Sequence, residues 1–189
     1  MKLVITQNIA LDGVVEQNDE TGAWFTVAGD ADMSDVDDAL ASMMGEEDAQ
    51  LHGRITFEQM RGFWPDQTDD TSGVSAHLNR VDKYVLSRSM KDPEWENSTV
   101  LTGDLRDEVK TLKDLPGRNL GVTGSISVCH ALIQADLVDE YRLLLYPVVV
   151  GRGRHLFASV GPTTRPMELV DAQRFESGII LLSYFRARR

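Results

Sequence analysis

The 189-residue sequence predicts an α/β fold: a central sheet that is mixed but mostly parallel, helices on both of its faces, and an antiparallel hairpin at the C-terminal end. Three observations carry this. Strand-like and helix-like segments alternate through residues 2–150, two of the strands end in glycine and pass at once into a helix, and the last two strand-like runs are joined by a turn alone.

Lys2 to Ala10 has the β-branched and aliphatic content of a strand, which Leu11-Asp12-Gly13 breaks. Asn18 to Gly22 reads as a loop tip. Ser34 to Met44 has helical spacing, with Ser34 as N-cap and Val36, Leu40 and Met43 or Met44 inward. Ala49 to Gly53 is a short strand, and Arg54 to Arg61 continues directly as a helix. The loop Phe63-Trp64-Pro65-Asp66 leads through a helix near Ala76 to Arg80 into the strand Lys83 to Ser87. Val100-Leu101 is a minor strand, and Asp104 caps a helix reaching Leu112. Asn119 to Thr123 is a strand, Gly124-Ser125 a turn, Ile126 to Ala135 a helix, and Val138 to Val150 a long apolar strand. Met167 to Phe175 and Gly178 to Arg186 form the closing hairpin across Glu176-Ser177-Gly178.

The length suits a single domain over residues 1–189. With 42% hydrophobic and 26% charged residues, the composition favours neither a disordered nor a fibrous chain. The apolar run Leu143 to Val150 is far too short to cross a bilayer, and the N-terminus lacks a secretory signal, so a soluble cytoplasmic protein is expected. The single cysteine, Cys129, cannot form an internal disulfide and shares an apolar helix face with Ile126, Leu132 and Ile133. His52, His77, His130 and His155 are scattered singly, without zinc-ligand spacing, and no metal is expected.

The net charge of −11 argues against nucleic acid as a partner. Its distribution is uneven: residues 1–72 carry 16 acids against 3 bases, residues 73–189 carry 14 against 16, and the later part better tolerates an anionic ligand. The acidic stretch Asp30 to Asp48 reads as a solvated helix surface.

Three strand ends carry residues suited to phosphate. At Gly53-Arg54-Ile55-Thr56 a tight turn opens a helix whose free amides and guanidinium point outward. At Thr123-Gly124-Ser125 a strand again ends in glycine, with Ser125 at the helix N-cap, where the dipole favours a pyrophosphate. Ser87-Arg88 pairs a hydroxyl with a guanidinium, a combination that grips a phosphomonoester such as the 2′-phosphate of NADPH. Each motif also has a bland reading as ordinary turn or capping chemistry. Gly151-Arg152-Gly153 lacks the third glycine of a Rossmann fingerprint, and no Walker A, Gly-x-Ser-x-Gly or His-Glu-x-x-His motif is present.

Leu11-Asp12-Gly13, Gly53-Arg54-Ile55-Thr56-Phe57-Glu58 and Lys83-Tyr84-Val85-Leu86-Ser87-Arg88 together resemble the dihydrofolate-reductase-like superfamily, in its riboflavin-biosynthesis reductase branch. Gly124-Ser125, Leu132 to Glu140, Pro147 to Gly153 and Leu156-Phe157 are similar to that branch in order and spacing, so the resemblance spans nearly the whole chain. It implies the superfamily's three-layer fold and NADPH as hydride donor. Gly53, Arg54 and Thr56 would lie near the cofactor phosphates, Ser87 and Arg88 near the 2′-phosphate, Gly124 and Ser125 at the pyrophosphate, and Gly151 and Gly153 on the nicotinamide side. The acid that dihydrofolate reductases carry on the first helix has no clear counterpart among Asp35, Asp37 and Asp38.

The expected activity is hydride transfer to a small heterocycle, of pterin or ribosylamino-pyrimidine type, with a non-catalytic NADPH- or ligand-binding module as the alternative. Trp24 and Trp64 are candidates to line the substrate cleft, and Asp12, Asp66 or an ordered water to supply the proton. The apolar strand and the hairpin edges point to a homodimer.

Overall fold

The computed structural model describes residues 1–26, 32–158 and 165–187. The elements in chain order are β1 (Lys2–Ala10), α1 (Ser34–Gly45), β2 (Glu47–Gly53), α2 (Arg54–Arg61), α3 (Val74–Arg80), β3 (Asp82–Leu86), β4 (Ser98–Leu101), α4 (Leu105–Asp114), β5 (Asn119–Gly124), α5 (Ile126–Gln134), β6 (Glu140–Tyr146), β7 (Met167–Arg174) and β8 (Ile180–Arg186). One eight-stranded sheet in the order β4-β3-β2-β5-β1-β6-β8-β7 takes up all the strands. The first six of that order run parallel; β8 is antiparallel to β6 and forms the terminal hairpin with β7. The α/β reading with a mostly parallel centre and a closing hairpin therefore holds.

β1 lies between β5 and β6 and is covered on both faces, which is why its sequence is apolar almost throughout. Leu3, Ile5 and Ile9 pack with Leu120 and Val122 against Val109 and Leu112 of α4 and Leu132 and Ile133 of α5. The opposite side carries α1, α2 and α3, where Val36 and Met43 join Leu144 and Tyr146, and Phe57 joins Leu78 and Val85. Cys129 sits in the first of these clusters, and burial pushes its thiol up to about 12, the state of an inert core residue.

Two local expectations are corrected. The apolar strand expected over Val138 to Val150 is confined to Glu140–Tyr146, because Pro147 has no amide to continue the ladder. Beyond it the chain turns, Val148 N donating to the Tyr146 carbonyl at 2.8 Å, and Val148 and Val150 pack on the α1 side. Ser34 is the first residue of α1 rather than its cap: Met33 occupies the N-cap, and the Ser34 amide donates to Asp32 Oδ1 at 2.9 Å. Ser125 does occupy the N-cap of α5, but its hydroxyl lies 2.9 Å from that of Ser127 instead of capping an amide. Asp104 caps α4 as expected, accepting from the Arg106 amide at 2.9 Å.

Asp139 and Glu140 tie strand starts together. Asp139 Oδ2 accepts from the Leu3 amide at 2.8 Å, while Glu140 meets Lys2 at 3.1 Å and Arg142 at 2.6 Å.

Candidate functional site

The parallel run β3-β2-β5 brings the C-terminal ends of three strands to one edge of the sheet: Gly53 pairs across from Leu86, and His52 across from Gly124. The three expected phosphate motifs thus share a place in the fold, the position at which open α/β sheets bind ligands. The packing there is close. A Cβ on Gly53 would collide with the Ser125 hydroxyl and come within 3.0 Å of Val128 Cγ2, so the end of β2 approaches the start of α5 only because residue 53 is glycine. A Cβ on Gly124 would lie 3.1 Å from Thr56 Oγ1, which joins the start of α2 to the same unit. The Gly124–Ser125 peptide bond is cis. Neither α2 nor α5 has a side-chain cap, so no side chain competes for their first amides at this edge.

The cations of the edge differ in how they are engaged. Arg54 Nη1 donates to both carboxylate oxygens of Glu58, at 2.7 and 3.0 Å, so its guanidinium is shared rather than free as the sequence suggested. Arg88 is exposed and, among the described residues, has no ion pair. Beside it the Ser87 hydroxyl accepts from the Met90 amide at 3.0 Å and the Ser89 amide at 3.2 Å, holding the loop in shape.

Gly151 and Gly153 belong to a loop packed on the chain that follows β1. Val15 N donates to the Arg154 carbonyl at 3.0 Å and Leu156 N to that of Gly13 at 3.1 Å. Gly153, at φ +101°, takes a left-handed conformation in a place where a Cβ would lie 2.8 Å from Thr21 Cγ2.

Next to this edge a cleft of about 830 Å³ opens over the sheet face that carries α1, α2 and α3. Its floor includes Thr6, Asn8, Glu47, Gln50 and Thr123; Leu40, Met43 and Met44 of α1 form one wall, and Ile55, Met60 and Trp64 contribute to the other. Under the floor lies a buried polar chain. Gln50 Nε2 donates to Glu47 Oε2 at 2.8 Å, His77 Nε2 is 3.3 Å from the same oxygen, and His52 Nε2 is 3.0 Å from Gln50 Oε1. Burial, seconded by the charge of Lys83, pushes His52 down to about 4 and keeps it neutral. Lys83 is itself buried and pushed down to about 8; its Nζ donates to the Leu78 and Val81 carbonyls at 2.6 and 2.8 Å.

Thr56, Trp64, Gly124 and Ser125 line this cleft; the other expected cleft residues do not. Trp24 is buried, its Nε1 donating to the Glu16 carbonyl at 2.9 Å and its ring meeting Tyr146 edge-on at 5.6 Å, so it is a packing residue. Asp12 accepts from the Gly151 amide at 2.7 Å, and that bond holds its carboxyl below the usual range, in the charged form that cannot donate a proton. Asp66 is exposed in the turn Trp64–Asp66, outside the cleft lining. The sequence reading missed Thr6, Asn8, Glu47 and Gln50. Thr6 and Asn8 had a visible signal, polar residues two apart on one face of an otherwise apolar central strand.

Among the described residues, no group of three His, Cys, Asp or Glu is placed to hold a metal ion, and no helix is long and apolar enough to cross a membrane.

Residues 1–181 match the family described as the RibD C-terminal domain. The chain is 30% identical over 186 residues to the uncharacterized protein YyaP of Bacillus subtilis, covering 97% of this chain and 94% of that one. Its fold is similar to that of a Shewanella sp. PV-4 protein provisionally named for riboflavin biosynthesis, at TM-score 0.75 and 20% identity with both chains fully covered. It is also similar to a Thermotoga maritima diaminohydroxyphosphoribosylaminopyrimidine deaminase/5-amino-6-(5-phosphoribosylamino)uracil reductase, at TM-score 0.69 and 14% identity, covering 98% of this chain and 56% of that one.

Proposed function

The chain belongs to the RibD C-terminal domain family, and from that premise we propose that it is a reductase that binds NADPH along the β3-β2-β5 edge and reduces a small heterocycle held in the adjacent cleft. The observation that carries the reading is the meeting of three strand ends, two helix starts without side-chain caps and the Arg88 guanidinium, unpaired among the described residues, beside a cleft of about 830 Å³. These groups fit an anionic dinucleotide: amides and a helix dipole suit the pyrophosphate, and a free cation suits a terminal phosphate.

In this reading Gly53, Thr56, Gly124 and Ser125 hold the pyrophosphate, Ser87 and Arg88 the 2′-phosphate, and Gly151 and Gly153 shape the far end of the site. Arg54 serves the phosphates only by sharing its guanidinium with Glu58. When bound, the cofactor supplies the hydride, and the protein supplies orientation and a dry surface. The apolar walls Leu40, Met43 and Met60 would seat the substrate ring and exclude water from it. The Thermotoga protein's name brings an amino-substituted pyrimidine ring into the range of candidate substrates.

Titration should show NADPH binding at least about tenfold tighter than NADH, a difference of about 1.4 kcal/mol. Arg88→Ala should remove that preference while leaving NADH affinity nearly unchanged, because only NADPH presents the extra phosphate. Equal affinities in the unsubstituted protein would overturn the 2′-phosphate assignment. A substrate screen followed at the nicotinamide absorbance then tests turnover; cofactor binding without any oxidation across the panel would favour a non-catalytic binding module.

We also propose a homodimer. β7 is an edge strand with Leu169 and Val170 each 51% exposed, an apolar rim that a second copy would cover. Sedimentation should give a dimer at micromolar concentration, and a monomer there would count against it.

A further inference from the structure

We infer that the cleft takes an unphosphorylated planar ring presenting N–H donors, and that Glu47 is the group that selects it; this rests on the reductase reading and carries it on to the substrate class. Among the described residues, three charged ones line the cleft: Glu16, Glu47 and Arg154. Arg154 Nε donates to Glu16 Oε1 at 2.6 Å and its backbone amide to Glu16 Oε2 at 3.1 Å, so that pair is internally compensated. No other lysine or arginine among the described residues lines the space. Among the described residues, the charge left over in the cleft is that of Glu47.

A phosphomonoester needs guanidinium forks, ammonium groups or several free amides. The free amides here are those at the helix starts, which the cofactor phosphates take in the proposed mode. Among the described residues, a substrate phosphate in the cleft would meet a carboxylate and no uncompensated cation.

Glu47 is also placed to do more than repel. Its side chain is only 8% exposed and rests over Gly121, where a Cβ would collide with the carboxylate. Oε2 receives the Gln50 amide and faces His77, whereas Oε1 has no hydrogen bond among the described residues. On the neighbouring strand Thr6 Oγ1 is likewise buried without a partner. Glu47 Oε1 is thus an acceptor with an open valence on the cleft floor, and Thr6 Oγ1 beside it a buried hydroxyl without a partner, so a ligand's N–H groups would find acceptors there. Met43 on one side and Met60 and Trp64 on the other give that floor apolar walls suited to a flat ring.

The test uses a matched pair of probes on the NADPH-saturated protein by calorimetry: 2-aminopyrimidin-4-one carrying a hydroxyethyl arm, and the same compound phosphorylated on that arm. The unphosphorylated probe should bind at least about tenfold tighter, and Glu47→Gln, which keeps the shape but removes the carboxylate, should weaken it about tenfold with the NADPH affinity unchanged. Equal or tighter binding of the phosphate ester, or no binding of either probe, overturns the inference, and the unsubstituted protein alone decides this even where the variant does not fold. Failure to bind NADPH removes the reductase reading instead; the probe pair is then titrated against the free protein, where the same tenfold preference decides the inference independently.

Discussion

Phe57→Ala should lower the free energy of unfolding by about 3–5 kcal/mol, read from urea denaturation at neutral pH. Phe57 is wholly buried, with its ring centre 5.6 Å from Trp95 and 6.2 Å from His52, and Leu78 and Val85 complete the cluster. It is the one fully buried side chain that α2 contributes, and a helix of eight residues is too short to persist without such an anchor. The loss therefore reaches function: α2 begins with Arg54, Ile55 and Thr56 at the proposed cofactor edge, so NADPH affinity should fall together with stability. Phe57→Leu keeps most of the volume and should cost less than about 1.5 kcal/mol. A cost below about 1 kcal/mol for Phe57→Ala would mean that α2 is held by something other than this ring.

Much of this architecture is legible in the chain because its strands and helices are punctuated by residues with one physical meaning. β1 is bounded by Gly13 at φ +84° in the turn after Ala10, and α2 starts where Gly53 ends β2, so both elements have the bounds that the sequence predicts. What local pattern does not contain is the order of strands. β1 lies between β5 and β6, and the three phosphate-suited turns become neighbours only through pairings such as Gly53 with Leu86, at a separation of more than thirty residues. The cleft was harder still to read. Glu47 stands in the run Glu46-Glu47-Asp48, which reads as one solvated acidic surface, yet the fold gives each residue a different environment: Glu46 pairs with Arg142 at 2.7 Å, Asp48 with Arg118 at 3.2 Å, and Glu47 is buried beside Gln50. An aromatic residue in a loop misleads in the opposite direction. Trp24 has the composition of a cleft residue and the burial of a core one, and only the position of Tyr146 decides which it is.

Acidification should destabilise the protein through His52 by about 2 kcal/mol between pH 7 and pH 5, and by about 3 kcal/mol once pH reaches 4. The His52 ring is wholly buried, faced by Gln50 at 3.0 Å, the Phe57 ring at 6.2 Å and the charge of Lys83, and its Nδ1 has no hydrogen-bond partner. A second N–H there would find no acceptor, so protonation is resisted down to about 4, against 6.5 for a free imidazole. Between those two values the unfolded chain binds a proton that the folded one does not, and stability therefore falls as pH drops through that window. Above pH 6.5 both states are neutral at this position, and the effect vanishes. Denaturant midpoints at pH 7, 6 and 5 measure the slope, and His52→Gln, which stays neutral throughout, should flatten it whatever its own cost at pH 7. An identical acid loss in the variant would assign the effect to other groups. Because Gln50 links His52 to Glu47, charging the folded imidazole would also disturb the floor of the cleft, so the affinity of a bound ring should hold through that window and decline only near pH 4 and below, where the folded ring itself takes the proton.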